Sequence, residues 1–296
     1  MNDSFPQLQT HTESSKLSYS SLVIKHKIAS GLTADIYLSS LADSPSDDEY
    51  VIKIFHRKSD KFYMNEINFL KNRITHPNLI KVYDWGLIKD QDDHFYNHHY
   101  IIMEYIKDSD LVHLIENSSV LHNEKKVRAI VLGVIEGLTA MHQRGFIHRD
   151  IKPENILVSE IDKGNSYNVK ITDFGFVDDI KSISKEKKGT RGYMSPEVIN
   201  RCATSAEGID VFSLGVLTFI LLTSEFPFDS PTKDDELYSL IIEEKWDEYW
   251  KKVGHIKDVS TEAKQIIQGM ICEDTHKRLS FEQLRNCAWI KKVTPS

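Results

Sequence analysis

Two periodicities divide the chain. Between Leu22 and Phe55 apolar and polar positions form short runs, Leu22-Val-Ile-Lys, Asp35-Ile-Tyr-Leu and Tyr50-Val-Ile-Lys-Ile-Phe. Gly31 and the acidic, Ser-rich stretch from Ser39 to Glu49 separate them, a pattern that predicts a small antiparallel sheet. A helical stretch follows from about Asp60 to Lys71, then strand-like runs at Leu79 to Tyr83 and Tyr100 to Tyr105, around an Asp/His/Asn-rich loop that reads as a surface insertion. Beyond Ile106 the three- and four-residue spacing of Val127, Ile130, Val131, Val134, Ile135, Leu138 and Met141 predicts one face of a long helix ending near Gly145. Short strands recur at Ile156-Leu-Val and Val169-Lys-Ile, and helices return from Ala206 onward. The predicted class is α+β: a polar, flexible tail over 1–20, a mostly β lobe over 21–105 and a mostly α lobe over 106–296, with a crevice between the lobes.

Composition narrows the function. A formal net charge of −7, with no long Lys/Arg block, argues against a nucleic-acid partner. Cys202, Cys272 and Cys287 are odd in number and lack the paired spacing of a zinc site, which fits a reducing, intracellular and cytoplasmic setting. No basic stretch leads into an apolar run at the start, so a secretory signal is not expected. The longest uncharged run, between Asp210 and Glu225, suits a buried core helix and not a span of about 20 apolar residues, so membrane insertion is not expected.

The chemistry concentrates in His148-Arg149-Asp150-Ile151-Lys152-Pro153-Glu154-Asn155, then Asp173-Phe174-Gly175, then Ser195-Pro196-Glu197. In this order and spacing the chain resembles the eukaryotic protein kinases over roughly residues 22 to 291. The resemblance implies a bilobal kinase fold, Mg²⁺ and ATP as cofactors, and protein substrates with Ser/Thr acceptors. Phosphoryl transfer asks a protein mainly to align a hydroxyl and to place positive charge where negative charge moves. By resemblance, Asp150 orients the substrate hydroxyl, Lys152 reaches the transferring group, and Asn155 and Asp173 offer oxygen ligands to Mg²⁺.

Lys53 shares one face of its strand with Val51 and Phe55, and a lysine among apolar neighbours needs an anionic partner. The family pattern makes Glu66 that partner, together with the α- and β-phosphates. The loop Ile28-Ala29-Ser30-Gly31-Leu32-Thr33-Ala34-Asp35-Ile36 keeps only the middle glycine of G-x-G-x-x-G-x-V, which predicts a stiffer phosphate cover. The backbones of Glu104 and Ile106 are expected at the adenine edges, Leu157 and Ile36 at its faces, and Asp110 at the ribose or a substrate arginine. Val51 stands where the pattern has alanine.

Other matches are architectural. Asp210 is expected to hold backbone N–H groups of the catalytic loop, and Arg278 to pair with Glu197. Leu70, Val82, His148 and Phe174 match positions that stack between lobes. The cluster His94, His98 and His99 reads as a solvated loop in preference to a metal site. In the activation segment, Phe176 to Met194, Asp178 replaces a frequently basic residue, and Glu186 either pairs with Arg149 or belongs to the solvated run Lys185-Glu-Lys-Lys. Thr190 is expected to contact Asp150 and Lys152. Lys152-Pro153-Glu154-Asn155 and the Gly189-Thr190 segment look like a Ser/Thr kinase, and Phe226-Pro-Phe-Asp resembles the calcium/calmodulin-dependent group. The alternative is a pseudokinase or scaffold that uses the fold for binding, motivated by Ala29, Ala34 and Val51.

Overall fold

The structure, a computed structural model, describes residues 17–42, 48–107, 111–116, 123–161, 167–202, 205–254 and 259–292. It is α+β and divides into two compact units, one of residues 1–60 and 81–105, the other of 61–80 and 106–296.

In the first unit, β1 (Leu22–Ser30), β2 (Ala34–Leu41), β3 (Glu49–Phe55), β4 (Val82–Leu87) and β5 (His99–Glu104) form an antiparallel sheet in the order β1-β2-β3-β5-β4. Ile52, Ile54, Tyr100 and Ile102 project to one face and pack with Leu17 and Ile88. Leu17 to Ser20, assigned to the flexible tail, therefore need correction. Leu17 is buried, and Tyr19 lies 5.1 Å from the Tyr100 ring and donates its hydroxyl to Asp93 at 3.0 Å. Two apolar anchors in a polar stretch suffice to tie the chain down. The loop after β4 is mostly exposed, as expected, and is anchored by Phe95, edge-on to Tyr37 at 5.1 Å. His98 turns Nδ1 to the Phe95 carbonyl, and no described group of three or more His, Cys, Asp or Glu residues could hold a metal.

The second unit holds α1 (Asp60–Leu70) from Lys61 on, α2 (Leu111–Glu116), α3 (Glu124–Gln143), β6 (Phe146–Ile147), β7 (Ile156–Glu160), β8 (Tyr167–Ile171), β9 (Asp178–Asp179), α4 (Pro196–Ile199), α5 (Ala206–Thr223), α6 (Glu236–Ile242), α7 (Trp246–Lys252), α8 (Thr261–Met270), α9 (Phe281–Asn286) and α10 (Ala288–Lys291). Residues 61–80, assigned from sequence to the β lobe, cluster here because their contacts lie here. Phe69 sits 4.4 Å from Phe174, Phe62 sits 5.4 Å from Phe176, Asn65 donates to the Gly175 carbonyl at 3.1 Å, and Ile80 N–H donates to the Ile171 carbonyl at 2.9 Å. Leu79 consequently bridges to Ile171, and the strand expected from Leu79 starts at Val82 instead.

The seven apolar positions predicted for α3 are all fully buried. The helix opens with Asn123 accepting from Lys126 N–H. Gly133 admits β8, since a Cβ there would lie 2.7 Å from the Val169 Cβ. The helix α5 is long and apolar enough to cross a membrane by length and composition, but 94% of it is buried inside the protein. It is the core helix that the uncharged run anticipated.

Arg278 and Glu197 form the expected pair. The guanidinium reaches both carboxylate oxygens at 2.6 and 3.2 Å and donates to the carbonyls of Gly208 and Cys272. Both residues are buried, so removing one partner strands a charge. Glu197→Ala is expected to lower the unfolding free energy by roughly 3–5 kcal/mol, read from the midpoint of urea denaturation; a shift equivalent to under about 1 kcal/mol would assign the pair the weight of a surface contact.

Candidate active site

The catalytic-loop candidates sit on a backbone shaped by one carboxylate. Asp210, the fifth residue of α5 and fully buried, accepts from the N–H of Arg149 at 2.8 Å on Oδ1 and from the N–H of His148 at 2.9 Å on Oδ2. His142 of α3 donates its Nε2–H to the same Oδ2 at 2.7 Å. Burial alone would raise the Asp210 pKa, but the hydrogen bond and charge of His142 with the loop N–H groups hold it below the usual carboxylate range. Arg149 adopts a left-handed φ of 72° there, a conformation costly for a residue with a Cβ.

The turn delivers Asp150 into a set of close contacts. Its Oδ1 accepts from the Thr190 hydroxyl at 2.7 Å, and its Oδ2 accepts from Asn155 Nδ2 at 3.0 Å. Lys152 Nζ lies 3.3 Å from Oδ2 and donates to Thr190 Oγ1 at 2.8 Å. Asp150, Lys152, Asn155 and Thr190 are thus brought together as the sequence implied. Pro153 opens the 3-10 turn that carries Asn155, whose carbonyl accepts from Thr172 N–H at 3.0 Å. Pairing of Ile156 with Ile171 places Asn155 and Asp173 at the same end of the β7-β8 ribbon.

The Asn155 amide nitrogen is committed to Asp150, so its amide oxygen is the end able to bind a cation; the Asp173 carboxylate supplies the second hard donor. This oxygen pair fits Mg²⁺, which keeps several waters and needs few protein ligands. His148 is a packed core residue, fully buried, with its ring 5.9 Å from Phe174. Phe69, a neighbour of Leu70 that the sequence did not single out, places its ring against Phe174 in a tilted contact.

In the first unit, Lys53 is buried on β3 opposite Ile36 and Ile101, with Nζ 5.0 Å from the Phe55 ring centroid. The 28–36 loop is a hairpin in which Ala29 faces Ile36, Ser30 faces Asp35, and Gly31 N–H donates to the Ala34 carbonyl at 2.9 Å. Ile28 and Leu32 are exposed, and Thr33 accepts from His56 N–H at 2.8 Å. None of these residues has a positive φ, so the hairpin makes no demand for glycine at 29 or 34. Asp35 turns onto its own hairpin: the Ser30 hydroxyl at 2.5 Å is the main influence lowering its pKa, against burial and with help from Lys27. The Glu104 N–H donates to the Lys81 carbonyl at 2.9 Å. In the second unit, Glu66 is buried on α1, Leu157 is half-buried on β7, and Ile106 follows the last strand of the sheet. Asp110 lies outside the described residues.

The activation segment corrects one expectation. The Glu186 carboxylate pairs with Lys61 at 3.2 Å, and Arg149 takes only its backbone carbonyl. The anion that meets the Arg149 guanidinium is Asp178, read from sequence merely as a missing positive charge. Its presence was legible, but its partners depended on the pairing of β9 with β6.

Comparison with known proteins agrees with this geometry. The protein kinase domain model matches residues 22–290. A calcium/calmodulin-dependent protein kinase type 1 of Macrobrachium nipponense is 30% identical over 90% of this chain and 74% of its own. The serine/threonine-protein kinase DCLK3 of Mus musculus is 29% identical over 74% of this chain, and shk2 of Schizosaccharomyces pombe is 26% identical over 92%. The chain spans only 26% and 44% of the length of these last two.

Two substitutions test the site. If the alanines strained the hairpin, glycine would relieve it; because they do not, Ala29→Gly with Ala34→Gly is expected to lower stability by about 0.5–1 kcal/mol per site, seen as a lower melting temperature, whereas a rise would mean strain. The Asp210 carboxylate, depressed on folding, contributes stability in full above its unfolded pKa near about 3.9, and that contribution is lost as pH falls through the folded value. The stability gap between wild type and Asp210→Asn is therefore expected to be constant near neutrality, at roughly 1–3 kcal/mol, and to close in acid. A gap that widens in acid would contradict the assignment.

Proposed function

The chain belongs to the protein kinase family, and we propose that it is an active kinase transferring the γ-phosphate of Mg²⁺-bound ATP to Ser/Thr hydroxyls of protein substrates. The observation that carries this reading is the Asp150 carboxylate: buried, held on Oδ1 by Thr190 and on Oδ2 by Asn155, with an ammonium 3.3 Å away.

Each residue then has a task. Asp150 orients the acceptor hydroxyl and takes its proton as the oxygen bonds to the γ-phosphorus and the bond from that phosphorus to the β-phosphate oxygen breaks, ADP being the leaving group. Lys152, already bonded to Thr190, sets positive charge beside the transferring group, where a fixed cation is worth more than a mobile one because it needs no reorganisation. Lys53 serves the α- and β-phosphates, and the 28–36 hairpin covers the phosphates through backbone N–H groups. Ile36 and Leu157 flank adenine, with the Glu104 and Ile106 backbones at its edge. Asn155 and Asp173 would hold Mg²⁺, which when bound neutralises phosphate charge as it redistributes. An intracellular setting belongs to the same proposal, since ATP is the co-substrate and Cys202, Cys272 and Cys287 are free thiols.

The test is transfer of label from γ-labelled ATP to a mixed Ser/Thr peptide pool, wild type beside Asp150→Asn. The exchange preserves side-chain volume and removes the proton acceptor, so kcat is expected to fall by about 10²-fold or more with KM for ATP nearly unchanged. Asp173→Asn should instead weaken Mg²⁺-dependent ATP binding. Wild-type protein that binds nucleotide and transfers nothing would be a binding module; an Asp150→Asn variant with full turnover would remove Asp150 from the chemistry.

A further inference from the structure

A fully buried guanidinium requires an anion, and in this chain a side chain supplies it. The Arg149 side chain has no exposed surface. Its Nη1 pairs with Asp178 Oδ2 and donates to the Ser184 carbonyl at 3.2 Å, and its Nη2 donates to the Glu186 carbonyl at 2.9 Å. The other Asp178 oxygen, Oδ1, receives Lys188 Nζ at 2.7 Å, while Oδ2 also accepts the Ser184 N–H at 3.2 Å. One carboxylate thus ties two cations and a backbone amide, and closes the segment from β9 to Lys188 into a loop. Both Asp178 and Lys188 are 13% exposed in their side chains, so the pair is shielded from solvent and salt far more than Lys61–Glu186, exposed at 69% and 60%.

The loop is coupled to the catalytic carboxylate at both ends. Arg149 precedes Asp150 in the chain. Lys188 precedes Gly189, whose φ of 119° and close approach to the Arg149 carbonyl, where a Cβ would lie at 2.6 Å, exclude a side chain. The next residue is Thr190, the hydroxyl bonded to Asp150 Oδ1.

We propose that Asp178 is a positioning residue, a built-in anion that neutralises Arg149 and Lys188 and so holds Thr190 on Asp150 with no phosphate on the activation segment. The inference rests on the kinase reading for its effect on turnover, but not for its effect on the loop. Turnover in the unphosphorylated state follows, with Ser182 and Ser184 unmodified. Removing the Asp178 charge frees two cations to repel one another and releases the Ser184 amide. Removing the exposed Glu186 charge changes little.

The experiment uses the full chain treated with phosphatase and verified by mass spectrometry as unmodified at Ser182, Ser184 and Thr190. Wild type, Asp178→Asn, Asp178→Glu and Glu186→Ala are compared by steady-state kinetics and by hydrogen exchange across residues 178–190. Lys188→Gln, which removes one cation and keeps the Arg149 pair, is the second variant should Asp178→Asn fail to fold; its expected loss is smaller in both readouts. Expected are activity in dephosphorylated wild type, a fall in kcat of at least about tenfold in Asp178→Asn with KM for ATP nearly unchanged, faster exchange at Ser184, and recovery of both in Asp178→Glu. Glu186→Ala should match wild type. Three results would overturn the proposal: loss of wild-type activity on dephosphorylation with recovery on rephosphorylation, wild-type kcat in Asp178→Asn, or exchange indifferent to residue 178 and to Lys188→Gln. Wild type that never transfers phosphate, while exchange still depends on the Asp178 charge, would place the failure in the kinase reading and leave the anion's role supported.

Discussion

A carboxylate with no exposed surface sets the path of the catalytic loop. Asp210 faces two successive backbone N–H groups, and satisfying both fixes the peptide planes around His148 and Arg149. Non-glycine residues in the left-handed region cost about 1–3 kcal/mol each, and both Arg149 and Asp173 sit there, at φ of 72° and 63°. The buried acceptor offsets part of that cost, because an N–H left unpaired in the interior is itself worth about 1–3 kcal/mol. Everything downstream depends on it: the turn directs Asp150 toward Thr190 and Asn155, and sends the Arg149 side chain the other way, to Asp178.

Electrostatics divides the second unit's charges into two kinds. Arg278 with Glu197, Arg149 with Asp178, and His142 with Asp210 are buried or nearly so, each with further hydrogen bonds, and each would leave a stranded group if halved. Lys61–Glu186, Lys252–Glu236 and Lys277–Glu244 are exposed, and their side-chain entropy and screening leave them little net weight. The first kind fixes backbone geometry around the chemistry; the second decorates the surface.

Much of this was legible in the sequence, for definite reasons. The α3 spacing follows from burial on one face and the apolar β3 run from burial on both, so their positions were recoverable from pattern alone. That Asp150 meets Asn155, that Asp210 holds the loop N–H groups and that Arg278 pairs with Glu197 came from matching a motif. What escaped depended on tertiary partners. Leu17 and Tyr19 are two anchors in a polar tail, too few to show as periodicity. Phe69 is one apolar residue among several in α1, so only the helix rotation shows that its ring meets Phe174. Asp178 carries the same charge as Glu186, and only the β6-β9 pairing tells which one Arg149 reaches. The hairpin over 28–36 keeps dihedrals that alanine tolerates, so the two alanines are compatible with the fold of the loop.

The central claim is that a positioned carboxylate and ammonium, Asp150 and Lys152, make this chain a phosphotransferase for aliphatic hydroxyls. The most direct measurement offers the unmodified protein, at saturating Mg²⁺-ATP, a degenerate peptide library containing Ser, Thr and Tyr, and locates the transferred phosphate by mass spectrometry. The account predicts phosphate on Ser and Thr. Phosphate confined to Tyr, or no transfer by protein that binds nucleotide, would contradict it.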